Sequence, residues 1–76
     1  MTQEELNRQL INAADNRDTK TVRKMLEQGA DPNSRDKYGY TALMYACQDR
    51  RTDTDRLLLE HGADPNVQDN SGYTAF

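Results

Sequence analysis

The chain holds one histidine, His61, and one thiol, Cys47. These are the side chains best suited to metal ligation or nucleophilic chemistry. Either role needs the two brought together and backed by further ligands or by a group that orients the base. The surroundings point elsewhere. His61 falls at the end of a helical stretch, where a cation suits the helix C-terminus, and Cys47 falls on an apolar face, where it packs as a small hydrophobe. Four aspartates, Asp31, Asp36, Asp64 and Asp69, recur in two pairs at a fixed offset, as paired carboxylates for acid–base work would. Each pair lies among Gly, Pro and Asn at turn corners, and turn formation accounts for it. The glycines stand singly at 29, 39, 62 and 72, so no Gly-rich loop cradles a phosphate. The expectation is a non-enzyme with no catalytic, cofactor-binding or metal-binding residues.

Bulk properties narrow the partners. With 76 residues the chain is one small domain or less. Hydrophobic content of 34% against 30% charged is lean for a core, yet the apolar residues cluster periodically, which argues for order over disorder. The net charge is −3 and the pI near 4.9. An acidic chain whose only basic doublet is Arg50-Arg51 lacks the electrostatic footprint of a nucleic-acid binder. A single cysteine cannot pair internally and fits a reducing compartment, the cytoplasm or the nucleus. "MTQEELNRQL" has no basic stretch followed by an apolar one, so it is not a signal peptide. No run approaches the ~18 apolar residues of a membrane span.

The elements that must position any site are written twice. "EQGADPNSRDKYGYTAL" ends at Leu43, and "EHGADPNVQDNSGYTAF" ends at Phe76. Aligning Gly29–Leu43 with Gly62–Phe76, 33 residues on, gives ten identities in fifteen positions. A period of roughly 20–50 residues signals stacked repeats. Upstream, Leu10, Ala13 and Ala14 form a short helical face matched by Leu43, Ala46 and Cys47. Val22, Met25 and Leu26 form a second stripe, with Leu58 and Leu59 matching the last two. Thr19 and Thr52 are placed to cap the second helix of each copy, and Asp55 makes the latter a capping box. Gly29 and Gly62 supply the left-handed residue that ends a helix, with Pro32 and Pro65 beyond it. "DKYG" and "DNSG" carry β-turn chemistry. Each unit thus reads helix, turn, helix, extended loop. Two short helices with one apolar side cannot bury that side alone, whereas stacked copies can.

"LLLEHGADPN" and "DxxGYTAL" resemble the ankyrin repeat, whose signature runs G-A-D-x-N…D-x-x-G-x-T-P-L-H. The resemblance implies an all-α fold, an ankyrin-repeat solenoid of stacked helix–turn–helix units with β-turn or hairpin loops. It covers residues 4–36 as an N-terminal capping repeat, 37–69 as a second repeat, and 70–76 as the start of a third. Four departures stand out. Ala42 and Ala75 replace the family's Pro, so the helix start is less firmly set. Met44 replaces the His that ties neighbouring turns. Arg17 and Arg50 replace the Gly between paired helices, and a left-handed Arg costs on the order of 1 kcal/mol. Thr54 and Asp55 stand where the family has apolar residues.

The resemblance also implies a protein partner, bound by loop tips and the exposed side of the first helix. The corresponding residues are Lys37, Tyr38, Tyr40, Gln48, Asp49, Asn70, Ser71 and Tyr73, with Tyr45 close to the same face. Tyrosine brings area and a polar tip to such patches, although Tyr40 and Tyr73 could equally cover their own loops. Polar residues in "TQEELNRQL" and Asn12 suit a capping unit. At the other end, Leu43, Ala46 and Leu58 are expected to expose part of their face beside a loose Phe76. That edge suggests a truncated fragment, a homodimer through the C-terminal end, or both.

Overall fold

The computed structural model describes every residue except Asp49 and Arg51. It contains α1 (Gln3–Asp15), α2 (Thr19–Glu27), α3 (Ala42–Gln48) and α4 (Thr52–Glu60), and no strand among the described residues. Within each unit the helices pack as a pair, α1 on α2 and α3 on α4. Between units α1 meets α3 and α2 meets α4. The described fold is the all-α stack that the repeat required.

Local chemistry explains each boundary. Thr2 caps α1 by accepting the Glu5 N–H (3.2 Å), and Glu4 and Glu5 lie in the first turn, where acidic groups suit the helix dipole. At the far end, Asp18 N–H bonds Ala13 C=O (2.9 Å) and Arg17 N–H bonds Ala14 C=O (3.3 Å). That crossed pair is the Schellman ending, with Arg17 at φ 62° in the position that favours Gly. Arg50 has the same left-handed backbone at φ 54°, its N–H bonding Cys47 C=O (3.1 Å), so both arginines accept the expected strain. The same crossed bonds close α2 through Gly29 and α4 through Gly62, followed by the buried alanines Ala30 and Ala63.

Several expectations require correction. Asp18, not Thr19, caps α2: its carboxylate accepts the Thr21 N–H (3.1 Å) and hydroxyl (2.6 Å). Those two bonds hold the Asp18 pKa below its ordinary value. Thr19 is the first helical residue, and its hydroxyl shares a 2.7 Å hydrogen bond with Thr54 across the two units. Thr52 likewise opens α4 from inside, and Asp55 turns to Cys47 instead of forming a capping box. The replaced Pro and His leave α3 well anchored. Thr41 Oγ1 accepts the Met44 N–H (3.3 Å), while Met44 Sδ accepts the Thr41 N–H (3.4 Å), a thioether closing the cap reciprocally.

Burial also differs at the C-terminal edge. Leu43, Ala46 and Leu58 are at most 1% exposed, because they belong to the cluster shared with α1 and α2. The second stripe is Leu57 and Leu58, whereas Leu59 is 39% exposed. Its repeat partner Leu26 is 7% exposed, since α4 lies beside α2 and, among the described residues, no helix packs on the other side of α4. Phe76 is exposed as expected.

Asp55 occupies the position of fully buried Val22, and its Oδ1 is buried without a hydrogen-bond partner. Burial raises its pKa, opposed by the Cys47 hydrogen bond and aided by the Asp53 charge. Burial, then the charge of Asp55, pushes the Cys47 thiol up to about 12, so the thiol stays protonated. Substituting Asp55→Val should stabilise the fold by about 1–3 kcal/mol near neutral pH, the range for relieving an unsatisfied buried polar group. A raised folded-state pKa means that the native protein keeps the proton longer than the unfolded chain does, so the wild-type penalty fades as pH falls. Urea titrations at stepped pH should therefore show the advantage of the variant shrinking as pH falls from neutral toward the ordinary carboxylate range.

Candidate protein-binding site

Each loop that follows a helix pair closes on an aspartate. Asp36 Oδ1 accepts the N–H groups of Tyr38 and Tyr40, both at 2.9 Å, and its carbonyl accepts Gly39 N–H (2.9 Å). Asp69 does the same for Ser71 (2.8 Å), Tyr73 (2.9 Å) and Gly72 (3.0 Å). One backbone bond, Asp36 N–H to Tyr40 C=O (3.0 Å), completes the first loop. The loops are thus closed turns without a strand ladder, because the carboxylate takes a donor that a hairpin would pair with backbone. The turn assignment of these aspartates stands.

The second oxygen of Asp36 accepts the Tyr45 hydroxyl of α3, fastening the loop to the helix. Burial and this bond raise the Tyr45 pKa, so the phenol remains the donor. Tyr45 meets Tyr40 edge to face at 5.4 Å, and Tyr40 meets Tyr38 at 6.0 Å. Lys37 Nζ stands 5.1 Å over the Tyr38 ring. Lys37, Tyr38, Tyr40 and Tyr45 therefore form one cluster, with Tyr45 as its half-buried root and Tyr38 exposed at 54%.

Two hollows flank the loops. The first, about 560 Å³, lies between α1 and the first loop, lined by Arg8, Ile11, Asp15, Lys37, Tyr38 and Tyr45 among others. The second, about 230 Å³, is lined by Tyr40, Met44, Gln48, Tyr73 and Ala75. They are repeat equivalents: Ile11 and Met44, Asp15 and Gln48, and Asp36 and Asp69 are each 33 residues apart. Of the residues expected from the sequence, three line the first hollow and three the second. Asn70 and Ser71 line neither, and Asp49 lies outside the described residues. Asn70 instead couples the loops, its N–H donating to Tyr38 C=O and its Nδ2 to Lys37 C=O, each at 3.2 Å. The contribution of α1 to the first hollow was missed. Projecting Gln48 and Met44 back by one period would have found it.

The Cys47 thiol pairs with Asp55. His61 Nδ1 lies 2.9 Å from Leu57 C=O at the end of α4. Among the described residues no cluster of three or more His, Cys, Asp or Glu side chains could hold a metal, and no helix is long and apolar enough to cross a membrane.

A family model described as ankyrin repeats, in three copies, matches residues 10–76. The chain belongs to the ankyrin-repeat family, whose members generally serve as protein–protein interaction modules. Comparison with curated proteins returns no match.

The loops also approach each other closely. A Cβ on Gly39 would come within 2.5 Å of Asn70 Oδ1 and 2.8 Å of its backbone nitrogen, whereas one on Gly29 would meet nothing within 4 Å. Both glycines have positive φ. Gly29→Ala should cost about 1 kcal/mol from backbone strain alone. Gly39→Ala should cost about 3 kcal/mol or more, since the neighbouring loop must also move. Denaturant midpoints of the two variants check the difference.

Proposed function

We propose that the chain is a non-catalytic interaction module that binds a segment of a protein partner across the two hollows, with the tyrosine-bearing loops as its contact edge. The observation that carries this reading is the repetition of the hollows in register, each floored by one helix of the stack and walled by a loop. Tyr38 and Tyr73 are 54% and 72% exposed, which leaves large amphipathic rings available as anchors. Tyr40 packs against Tyr38 and is braced in turn by Tyr45 and its Asp36 bond, while Asp69 holds the Tyr73 backbone. Lys37 and Gln48 add polar groups at the rims. The net charge of −3 disfavours a phosphate backbone and suits a neutral or basic protein segment.

The test separates binding from folding. Tyr38→Ala with Tyr73→Ala removes two exposed rings and should change stability by no more than about 0.5 kcal/mol, as surface substitutions do. Partner capture from a reducing lysate, followed by mass spectrometry, should fall about tenfold or more, the loss expected when interface anchors are truncated. Lys24→Ala, on the exposed side of α2, serves as the control and should leave capture intact. Unchanged capture by the double variant would overturn the reading.

A further inference from the structure

The two hollows share their place in the repeat and differ in chemistry. At one end of the first, Asp15 and Asp36 lie with Ile11 and the Tyr38 and Tyr45 rings. One period on, Met44 and Asp69 keep the places of Ile11 and Asp36. Gln48, however, takes the place of Asp15, and Ser71 that of Tyr38. The second hollow therefore holds a single carboxylate and is otherwise lined chiefly by Tyr40, Met44, Tyr73 and Ala75.

The charges around the first hollow are unevenly committed. Asp15 is exposed and makes no hydrogen bond or ion pair among the described residues. It stands close enough to Tyr45 for its charge to act on the phenol, after burial and the bond to Asp36. Asp36 spends its oxygens on Tyr38, Tyr40 and Tyr45, and no cation among the described residues pairs with it. The cations of the lining are directed elsewhere. Arg35 donates to Gly39 C=O (3.3 Å) and to Asn70 Oδ1 in the second loop (3.4 Å). Lys37 rests on the Tyr38 ring. Arg8 precedes Asp15 by seven residues, about 10 Å along α1. Toward that far end α1 is already occupied: Asn7 Oδ1 accepts the Asp31 N–H (2.8 Å), and Gln3 Nε2 donates to Gly29 C=O (3.1 Å). The Tyr45 end is left negative and aromatic, the combination that holds a guanidinium or ammonium group.

Cross-unit bonds fix the spacing between the hollows. Asn33 Nδ2 donates to Gly62 C=O (3.0 Å) and its Oδ1 accepts the Asp64 N–H (2.6 Å), while Asn70 joins the loops. Packed helices stand about 8–10 Å apart, and an extended chain covers that in about three residues. We propose that the first hollow receives an arginine or lysine of an extended partner segment, between Asp15 and Asp36 and against the tyrosine rings, and that a large apolar residue about three positions away fills the second. This rests on the groove reading above and adds to it the chemistry of the occupant. Asp15 is then the residue that sets the preference, because its counterpart Gln48 is the main difference in charge between the two sites.

A phage-displayed library of short random peptides, selected on the immobilised full-length chain in reducing buffer, tests this. Wild type should enrich peptides that carry a basic residue and, about three positions away, a large apolar one. A synthetic peptide from that pool should bind Asp15→Asn about fivefold more weakly and Asp15→Lys about tenfold or more weakly. Its affinity for wild type should fall as salt rises, since the contact lies near solvent. Selection repeated on Asp15→Lys should lose the basic residue and keep the apolar one. Both substitutions remove an anion from the last turn of α1, which suits the helix dipole, and circular dichroism checks that the fold is kept. If the lysine variant unfolds, the asparagine variant alone decides through the peptide affinity. Peptides selected without a basic residue, or binding Asp15→Asn as tightly as wild type, would overturn this proposal and leave the groove reading standing. No enriched peptide at all, or peptides indifferent to Tyr38→Ala with Tyr73→Ala, would overturn both.

Discussion

The constraint on which the structure rests is the mutual burial of two helix pairs that cannot bury themselves. Leu10, Val22, Leu43 and Leu58 are at most 1% exposed, and the cluster containing them spans all four helices. At about 1.5–3 kcal/mol for each large aliphatic side chain taken out of water, a few such residues decide whether a domain this small folds. Neither pair would hold its loop in place without the other. The hollows depend on the stack in the same way, because each has a helix for its floor.

Hydrogen bonds then set the register that apolar contact leaves loose. Asn33 spans 29 and 31 residues to reach its partners, and Asn70 reaches back to the first loop. Thr19 and Thr54 tie α2 to α4 at a partly buried point where two apolar residues would slide more freely. Asp36 is the corresponding hub for the binding edge. One carboxylate orients two backbone amides and a phenol, so the positions of three tyrosines follow from a single side chain.

Against that frame the departures from the family pattern have local consequences only. Arg17 and Arg50 sit in left-handed backbone, but the crossed bonds around Arg17 are complete. Met44 loses the family's imidazole yet closes the helix cap with its sulfur. Asp55 is the exception, with an orphaned oxygen on a face that its counterpart Val22 fills with hydrocarbon. The second unit is therefore the less well satisfied of the two, and its outer side carries the exposed Leu59 and Asn66.

The 33-residue period, the helix stops at Gly29 and Gly62, the left-handed arginines and the aspartate turns were all legible in the chain. The period shows as identity at a fixed offset, and the other three depend on bonds between residues no more than five apart, so composition and spacing suffice to specify them. The same locality misled at the caps, where Thr19 and Asp18 are adjacent and both able to cap, and the choice fell to Asp18 once Thr19 found Thr54. Other features had no local signature at all: the burial of Leu57 in place of Leu59, the unmatched oxygen of Asp55, the part of α1 in the first hollow, and the closure of the first turn by Gln3 and Asn7. Those were decided only when one helix pair came to rest on the other, because burial and long-range pairing depend on which neighbour arrives, and no single repeat encodes its neighbour.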